Sequence, residues 1–263
     1  MSLPLFPVGE DPGPSFSRLL KRTGHTPPSL TSEAVEIRHG TTIVAIRYAE
    51  GVIMAGDRRA TEGYSIAHRA IEKVFPADRH SAVAIAGAAG PALEMVKLFQ
   101  TNLEHYEKVE GSALSLEGKA NQLSQMVRQN LPAAMQGFVV VPIFAGYDLR
   151  RRLGRIFKYD VTGGRYEEAD FHSTGSGGRD ARTTIKLGWK DALDRAAAIE
   201  LAIDGLYEAA DEDTATGGPD PVRGIYPTVA TITADGFERA AEDEVSERFQ
   251  TLIQRKTEAG HPT

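Results

Sequence analysis

The chain has 263 residues, 41% of them hydrophobic and 25% charged, with a formal net charge of −6; this is the make-up of a globular protein with room for one substantial core or two small ones. It contains no cysteine, which excludes disulfides, thiolate catalysis and cysteine-ligated metals and suits a reducing cytoplasm. Basic residues are scattered apart from Arg150, Arg151 and Arg152, a triplet between apolar runs that reads as solvated loop rather than a nucleic-acid surface.

Six of the fourteen prolines (Pro4, Pro7, Pro12, Pro14, Pro27 and Pro28) precede residue 40, so this stretch reads as a flexible arm. Its apolar cluster of Phe16, Leu19 and Leu20 could dock as a short helix. The start, MSLPLFPVGEDPGPSF, lacks the basic and continuous apolar regions of a secretion signal. No apolar run approaches the roughly 20 residues of a membrane span, so a soluble protein is expected.

From Thr41 the pattern changes. TTIVAIRY and GVIMAGD are β-rich runs around Ala49-Glu50-Gly51 and predict a hairpin. A strand follows over Ser81 to Gly87. Ala92, Met95, Val96, Phe99, Leu103 and Tyr106 then recur at helical spacing behind Pro91, which suits a first helical turn. A second helix carries Leu116, Ala120, Leu123, Val127 and Leu131, kinked or ended by Pro132. The strands GFVVVPIFAGYD and GRIFKYD come next, the latter closing on Thr162, Gly163 and Gly164. A long helix bears Ile199, Ala202, Ile203, Leu206 and Ala210. The strand TVATITAD and a charged helix around Val245, Phe249 and Leu252 end the chain. Strands arriving in adjacent hairpins disfavour a doubly wound parallel sheet and suit two antiparallel sheets covered by helix pairs.

Several chemistries are missing. There is no HExxH, Walker A loop or GxSxG, and TGSGG at Thr174–Gly178 fails as GxGxxG because Asp180 stands where glycine is needed. The acidic run from Asp211 fails as a calcium loop because Val222 occupies its twelfth position. The seven histidines form no i, i+4 pair with one another and have no obvious carboxylate partner, so no metal site is expected. What remains is HGTTIVAIRYAEGVIMAGDRRAT. A threonine hydroxyl needs a base within reach. Were Thr41 the first residue, its own α-amine, with a reference pKa of about 7.7–8.0, would supply one. Gly40, without Cβ, would let the backbone bend for attack on its carbonyl. Asp57 and Arg59 close the paired strand and Lys73 precedes the next, so these ends can converge beside Thr41. An ammonium there would favour the neutral amine, and Asp57 would hold the lysine charged and oriented. A Gly-Thr-Thr also opens ordinary strands, and this reading stays open on spacing alone.

HGTTIVA, GVIMAGDRRAT, EKVF, AIAGAAG, LEHYEKVEG, AMQG, AGYD, TGSGG and ATGGPD together resemble the β subunits of actinobacterial 20S proteasomes, from Thr41 to about Asp235. The resemblance implies an α+β fold, the four-layer αββα Ntn-hydrolase sandwich of two antiparallel sheets between helix pairs. It implies a propeptide over residues 1–40, cut between Gly40 and Thr41, and a peptidase domain over 41–263. Thr41 becomes the nucleophile, with Asp57 and Lys73 as charged neighbours and Ser176, Asp213 and Thr216 as the supporting network. Gly87 supplies the oxyanion N–H, and Ala60, Thr61, Ile71, Ile85 and Ala89 surround the substrate pocket.

No cofactor or metal is implied. The partners implied are an α subunit and further β subunits in stacked sevenfold rings, a ring ATPase activator, and unfolded protein or peptide substrates; nucleic acid and membrane are not among them. Two departures bear on local detail: Gly178 stands where relatives often have serine, and GRDARTTIKLGWK diverges from the usual helix start. An HslV-type threonine peptidase and an inactive subunit of the same fold are the alternatives. A non-peptidase Ntn amidase is a remoter one.

Overall fold

A computed structural model describes residues 40–63 and 65–260, together with Ser15 and Leu19. The chain divides into two units, Met1–Val35 and Glu36–Thr263. In the first, the Leu19 N–H donates to the Ser15 carbonyl at 3.1 Å, one helical turn. The expectations for a flexible arm and for Phe16 and Leu20 lie outside the described residues, as do His25 and His261.

The second unit holds two five-stranded antiparallel sheets. Sheet I runs in the order β10-β1-β2-β11-β12 and sheet II in the order β5-β6-β7-β8-β9. The strands of sheet I are β1 (Thr42–Tyr48), β2 (Gly51–Gly56), β10 (Phe171–Gly175), β11 (Thr228–Thr233) and β12 (Phe237–Arg239). Those of sheet II are β5 (Val74–Asp78), β6 (Ser81–Gly87), β7 (Val140–Asp148), β8 (Leu153–Tyr159) and β9 (Arg165–Glu168). A separate ribbon pairs β3 (Ala60–Glu62) with β4 (Ser65–His68).

Alternation along each strand sorts its side chains into different cores. On β1 and β2, Ile43, Ala45, Val52 and Met54 face sheet II and join Ala84, Ile143 and Ile156 in a core between the sheets. Val44, Ile46, Ile53 and Ala55 face the other way, onto helices. Because both faces are covered, these strands read as unbroken apolar runs rather than alternating ones. Fully burying each Ile or Val here contributes about 1.5–3 kcal/mol.

Over sheet II lie α1 (Ala89–Glu110) and α2 (Leu116–Gln129), whose Phe99 and Leu123 pack with Phe144 and Phe157. Phe99 meets Phe144 edge-on, with centroids 5.7 Å apart. Ser115 starts α2 by accepting the Gly118 N–H at 3.1 Å. The helix ends at Gln129, and Pro132 falls in the first turn of the short α3 (Leu131–Ala134). Over sheet I lie α4 (Gly178–Gly188), α5 (Arg195–Glu212) and α6 (Glu242–Glu258). The sandwich is therefore αββα, but only one outer layer is a helix pair: α6 joins the other through Val245, Phe249 and Leu252. The short strands β3, β4, β5, β9, β10 and β12 and the helix α4 add to the elements read from the sequence.

Candidate active site

Strand register brings the expected residues together at one end of the sandwich. Thr42 pairs with Gly175 of β10 and Ile43 with Gly56 of β2. The residues just past those partners, Ser176 and Asp57, therefore flank the start of β1. Lys73 enters from sheet II, immediately before β5. All three central groups are buried: Thr41 is 5%, Lys73 4% and Asp57 0% exposed.

Asp57 is held by four donors. Its Oδ1 accepts the Thr42 N–H at 2.7 Å and the Lys73 ammonium at 2.6 Å. Its Oδ2 accepts the N–H groups of Arg59 at 2.9 Å and Gly217 at 2.8 Å. The Lys73 Nζ also donates to the Arg59 carbonyl at 2.6 Å and to the Gly40 carbonyl at 3.4 Å. Burial draws the Lys73 pKa below its ordinary value, with the Asp57 charge and hydrogen bond pulling the other way. The Thr41 hydroxyl donates to the same Gly40 oxygen at 2.6 Å. One carbonyl thus faces both the hydroxyl of the next residue and a buried cation.

On the other flank, the Thr41 N–H donates to Ser176 Oγ at 3.2 Å, and the Ser176 N–H donates to the Thr41 carbonyl at 2.8 Å. A directional chain runs beneath. The Gly177 N–H donates to Thr42 Oγ1 at 3.0 Å, Thr42 Oγ1 lies 2.7 Å from Thr216 Oγ1, and Thr216 donates to Asp213 Oδ2 at 2.6 Å. Since Thr216 spends its proton on Asp213, Thr42 is the donor in the middle link. Burial pushes the Asp213 pKa up, but the Ser176 and Thr216 hydroxyls and the backbone N–H groups of Ala215 and Thr216 outweigh it, leaving a net lowering.

Gly87 pairs with Val140, and the next N–H, of Ala88, donates to Val139 O at 2.8 Å. In an antiparallel ladder this points the Gly87 N–H away from β7. It lies on the side where the Ile85 N–H meets Lys73 O at 2.9 Å. The backbone there, φ +114° with an added Cβ 2.0 Å from Val139 O, accepts only glycine. A cavity of about 50 Å³ opens between these groups. Gly40, Thr41, Lys73 and Gly87 line it with Ala60, Thr61, Ile71, Ile85 and Ala89, so every residue expected around the substrate pocket borders the same space.

Comparison with known proteins gives the family. The profile of the family described as "Proteasome subunit" matches residues 37–222. The chain belongs to the proteasome subunit family. Its relatives place it among the β subunits. A protein named "Proteasome subunit beta" from Acidimicrobium ferrooxidans is 60% identical over 99% of this chain and 96% of its own length. Proteins of the same name from Acidothermus cellulolyticus and Streptomyces griseus are 56% and 57% identical, over 90% and 86% of this chain and 80% of their own lengths.

Two residues of this proteasome-family site, Thr42 and Leu93, were not singled out from the sequence. Thr42 contributes both a hydroxyl and an N–H, and the doublet Thr-Thr was the available signal. Arg59, expected at the strand end beside Thr41, anchors the 214–216 loop, its Nη1 donating to Thr214 O at 2.9 Å and Thr216 O at 3.1 Å. Leu93, on α1, adds an apolar wall to the cavity. The departure at Gly178 leaves α4 intact: the helix begins there without a side-chain cap and buries Ala181 and Ile185. Its N-cap is Gly177, where a Cβ would sit 2.8 Å from the hydroxyl oxygens of both Thr42 and Thr216. Among the described residues no helix is long and apolar enough to cross a membrane, and no three His, Asp or Glu side chains gather as a metal site.

Proposed function

We propose that this β-type subunit is a threonine endopeptidase whose nucleophile is Thr41, released when residues 1–40 are cut away as a propeptide. The observation that carries the reading is the Gly40 carbonyl, 2.6 Å from the Thr41 hydroxyl and 3.4 Å from the Lys73 ammonium. In maturation the Thr41 Oγ bonds to the Gly40 carbonyl carbon while Lys73 stabilises the charge forming on its oxygen. The carbon–nitrogen bond then breaks, the Thr41 nitrogen takes the hydroxyl proton, and water hydrolyses the resulting ester. Gly40 leaves as a carboxylate and Thr41 gains a free amine.

In turnover that amine accepts the hydroxyl proton as Oγ attacks a substrate peptide carbonyl. The Gly87 N–H stabilises the oxyanion, and the proton passes to the leaving amine. Water then clears the acyl-enzyme. Lys73 keeps the amine neutral by its charge, Asp57 fixes the lysine, Ser176 holds the Thr41 backbone, and Thr216 and Asp213 hold the adjacent Thr42 hydroxyl. Ala60, Thr61, Ile71, Ile85 and Ala89 receive the residue before the scissile bond. Unfolded proteins and peptides are the substrates, reached inside stacked sevenfold rings formed with an α subunit and other β copies, fed by a ring ATPase in the cytoplasm. Relatives named "Proteasome subunit beta", covered over 80–96% of their lengths, favour this over an HslV-type peptidase.

Co-expression with the cognate α subunit followed by intact mass measurement tests the reading. The assembled particle should contain a chain starting at Thr41, and Thr41→Ala should leave it uncut and inactive. An active particle whose chain starts elsewhere would refute the assignment.

A further inference from the structure

Thr42, the residue after the nucleophile, is bonded to both flanks of the site. Toward Lys73 the bonds are backbone: the Thr42 N–H donates to Asp57 Oδ1 at 2.7 Å, and its carbonyl accepts the Asp57 N–H at 3.1 Å. Toward Ser176 the side chain acts, its Oγ1 accepting the Gly177 N–H at 3.0 Å. The start of β1 thus holds the Ser176–Gly177 turn through two consecutive N–H groups. The Ser176 N–H reaches the Thr41 carbonyl at 2.8 Å, and the Gly177 N–H reaches the Thr42 hydroxyl. Of these two bonds, only the second can be removed by changing a side chain.

The surroundings make that hydroxyl hard to replace. Thr42 and Thr216 are both fully buried. Thr42 gives its one hydroxyl proton to Thr216 Oγ1, which gives its own to Asp213 Oδ2. The chain therefore has one direction, from a backbone N–H to a carboxylate. A valine at 42 would break it in the middle, and the added methyl would fill the oxygen's place and keep water out. The 214–216 loop would stay, because Arg59 Nη1 holds its carbonyls. What would loosen is the turn carrying the Ser176 hydroxyl, 3.2 Å from the Thr41 nitrogen.

We propose that Thr42 is a positioning residue for the reaction: its hydroxyl, acting through Gly177, sets Ser176 against the Thr41 nitrogen and keeps that nitrogen aligned as the base. The inference rests on the reading of Thr41 as nucleophile. Thr41 borders the cavity that receives the residue before the scissile bond, and Thr42 does not. The hydroxyl should therefore govern rate rather than substrate affinity.

Chains produced to start at Thr41 are assembled with the α subunit and assayed with a fluorogenic peptide. Thr42→Val should lower kcat about 10–100-fold, the range expected for a reacting group displaced by up to about 1 Å. Acylation and deacylation use the same amine and slow together, so KM should stay within about threefold. Thr42→Ser should bring turnover back to within about threefold of wild type. Thr42→Ser and Thr42→Ala differ only in the oxygen, and this pair repeats the comparison where valine disturbs assembly. Thr231→Val removes another buried hydroxyl, on β11, and should leave kcat unchanged. Wild-type kcat in the valine and alanine chains, a serine chain as slow as the alanine one, or an equal loss in Thr231→Val would each overturn the proposal while leaving the nucleophile in place. An active Thr41→Ala particle would overturn the nucleophile reading and this inference with it.

Discussion

Replacing Lys73 by methionine keeps the shape of the side chain and deletes its charge. The ammonium lies 3.4 Å from the Gly40 oxygen, the position where negative charge would develop in the proposed maturation. At an effective dielectric of about 20, a unit charge at that distance is worth about 5 kcal/mol. That is an upper bound, because less than a full unit charge has developed on the oxygen at the transition state, and it corresponds to between about 10³- and 10⁴-fold in rate. The fold should survive: Asp57 keeps three backbone N–H donors, from Thr42, Arg59 and Gly217, although breaking a buried ion pair costs about 3–5 kcal/mol. Two chains separate maturation from turnover. The full-length variant should remain uncut by intact mass. A variant produced to start at Thr41, assembled with the α subunit, should lose about 10²–10⁴-fold in kcat/KM. Its acid limb should also move up toward the ordinary amine range of about 7.7–8.0. Turnover within tenfold of wild type, or an unmoved acid limb, would refute the role given to the charge.

Gly40→Ala would drive a Cβ to 2.3 Å from the Cβ and carbonyl oxygen of Ala215; displacing the scissile carbonyl by even about 1 Å should slow self-cleavage about 100-fold, read as uncut chain over time. The Ala60, Ile71, Ile85, Ala89 and Leu93 walls should favour apolar residues before the scissile bond, with differences among them of about 1–3 kcal/mol. A fluorogenic peptide panel led by lysine or aspartate would contradict this. His172 has a nearby carboxylate after all, Glu168 at 3.8 Å, and its Nδ1 faces Arg182 Nη1 at 3.2 Å. Burial lowers its pKa from 6.5 to about 4, Glu168 opposing and Lys158 and Arg182 assisting. Its stabilising contribution is therefore full above pH 6.5 and lost as pH falls toward 4, by at most about 3 kcal/mol. Denaturant unfolding of His172→Gln should show a shallower acid decline than wild type, and parallel curves would contradict the assignment.

The long apolar elements were legible because burial on both faces leaves an unambiguous run, as in Ile43–Ile46, or a helical period, as from Ala92 to Leu103. The short strands were not. β5 carries Pro76, β4 is exposed along its whole length, and β9 is largely polar, so none displays a hydrophobic period; tertiary pairing alone makes them strands. The same limit applied to the site. Thr41, Asp57 and Lys73 stand near strand ends that a hairpin reading could bring together. The Asp213–Thr216 loop reaches Thr42 across more than 170 residues of sequence, and no local pattern signals such a contact. Its placement came from resemblance.

On the proposed mechanism, the construction of the site would let the chemistry wait inside an uncut chain. Asp57 is oriented by three backbone N–H groups and Lys73 by a carboxylate and a backbone carbonyl, so neither needs a free Thr41 amine to hold its position. The supporting chain from Gly177 to Asp213 uses the Thr42 hydroxyl rather than that of Thr41, and leaves the nucleophile's own oxygen bonded only to the Gly40 carbonyl among the described contacts. Charges, network and pocket are therefore assembled by the sheets before the peptide bond breaks, with little reorganisation left for the reaction. Cutting that bond changes one group, converting the Thr41 amide into an amine beside a cation already in place. Fold formation and activation are separate events on this account, and a Thr41→Ala chain should unfold at the same denaturant concentration as uncut wild type. A markedly less stable Thr41→Ala chain would mean that the hydroxyl helps to hold the site together, against the separation argued here.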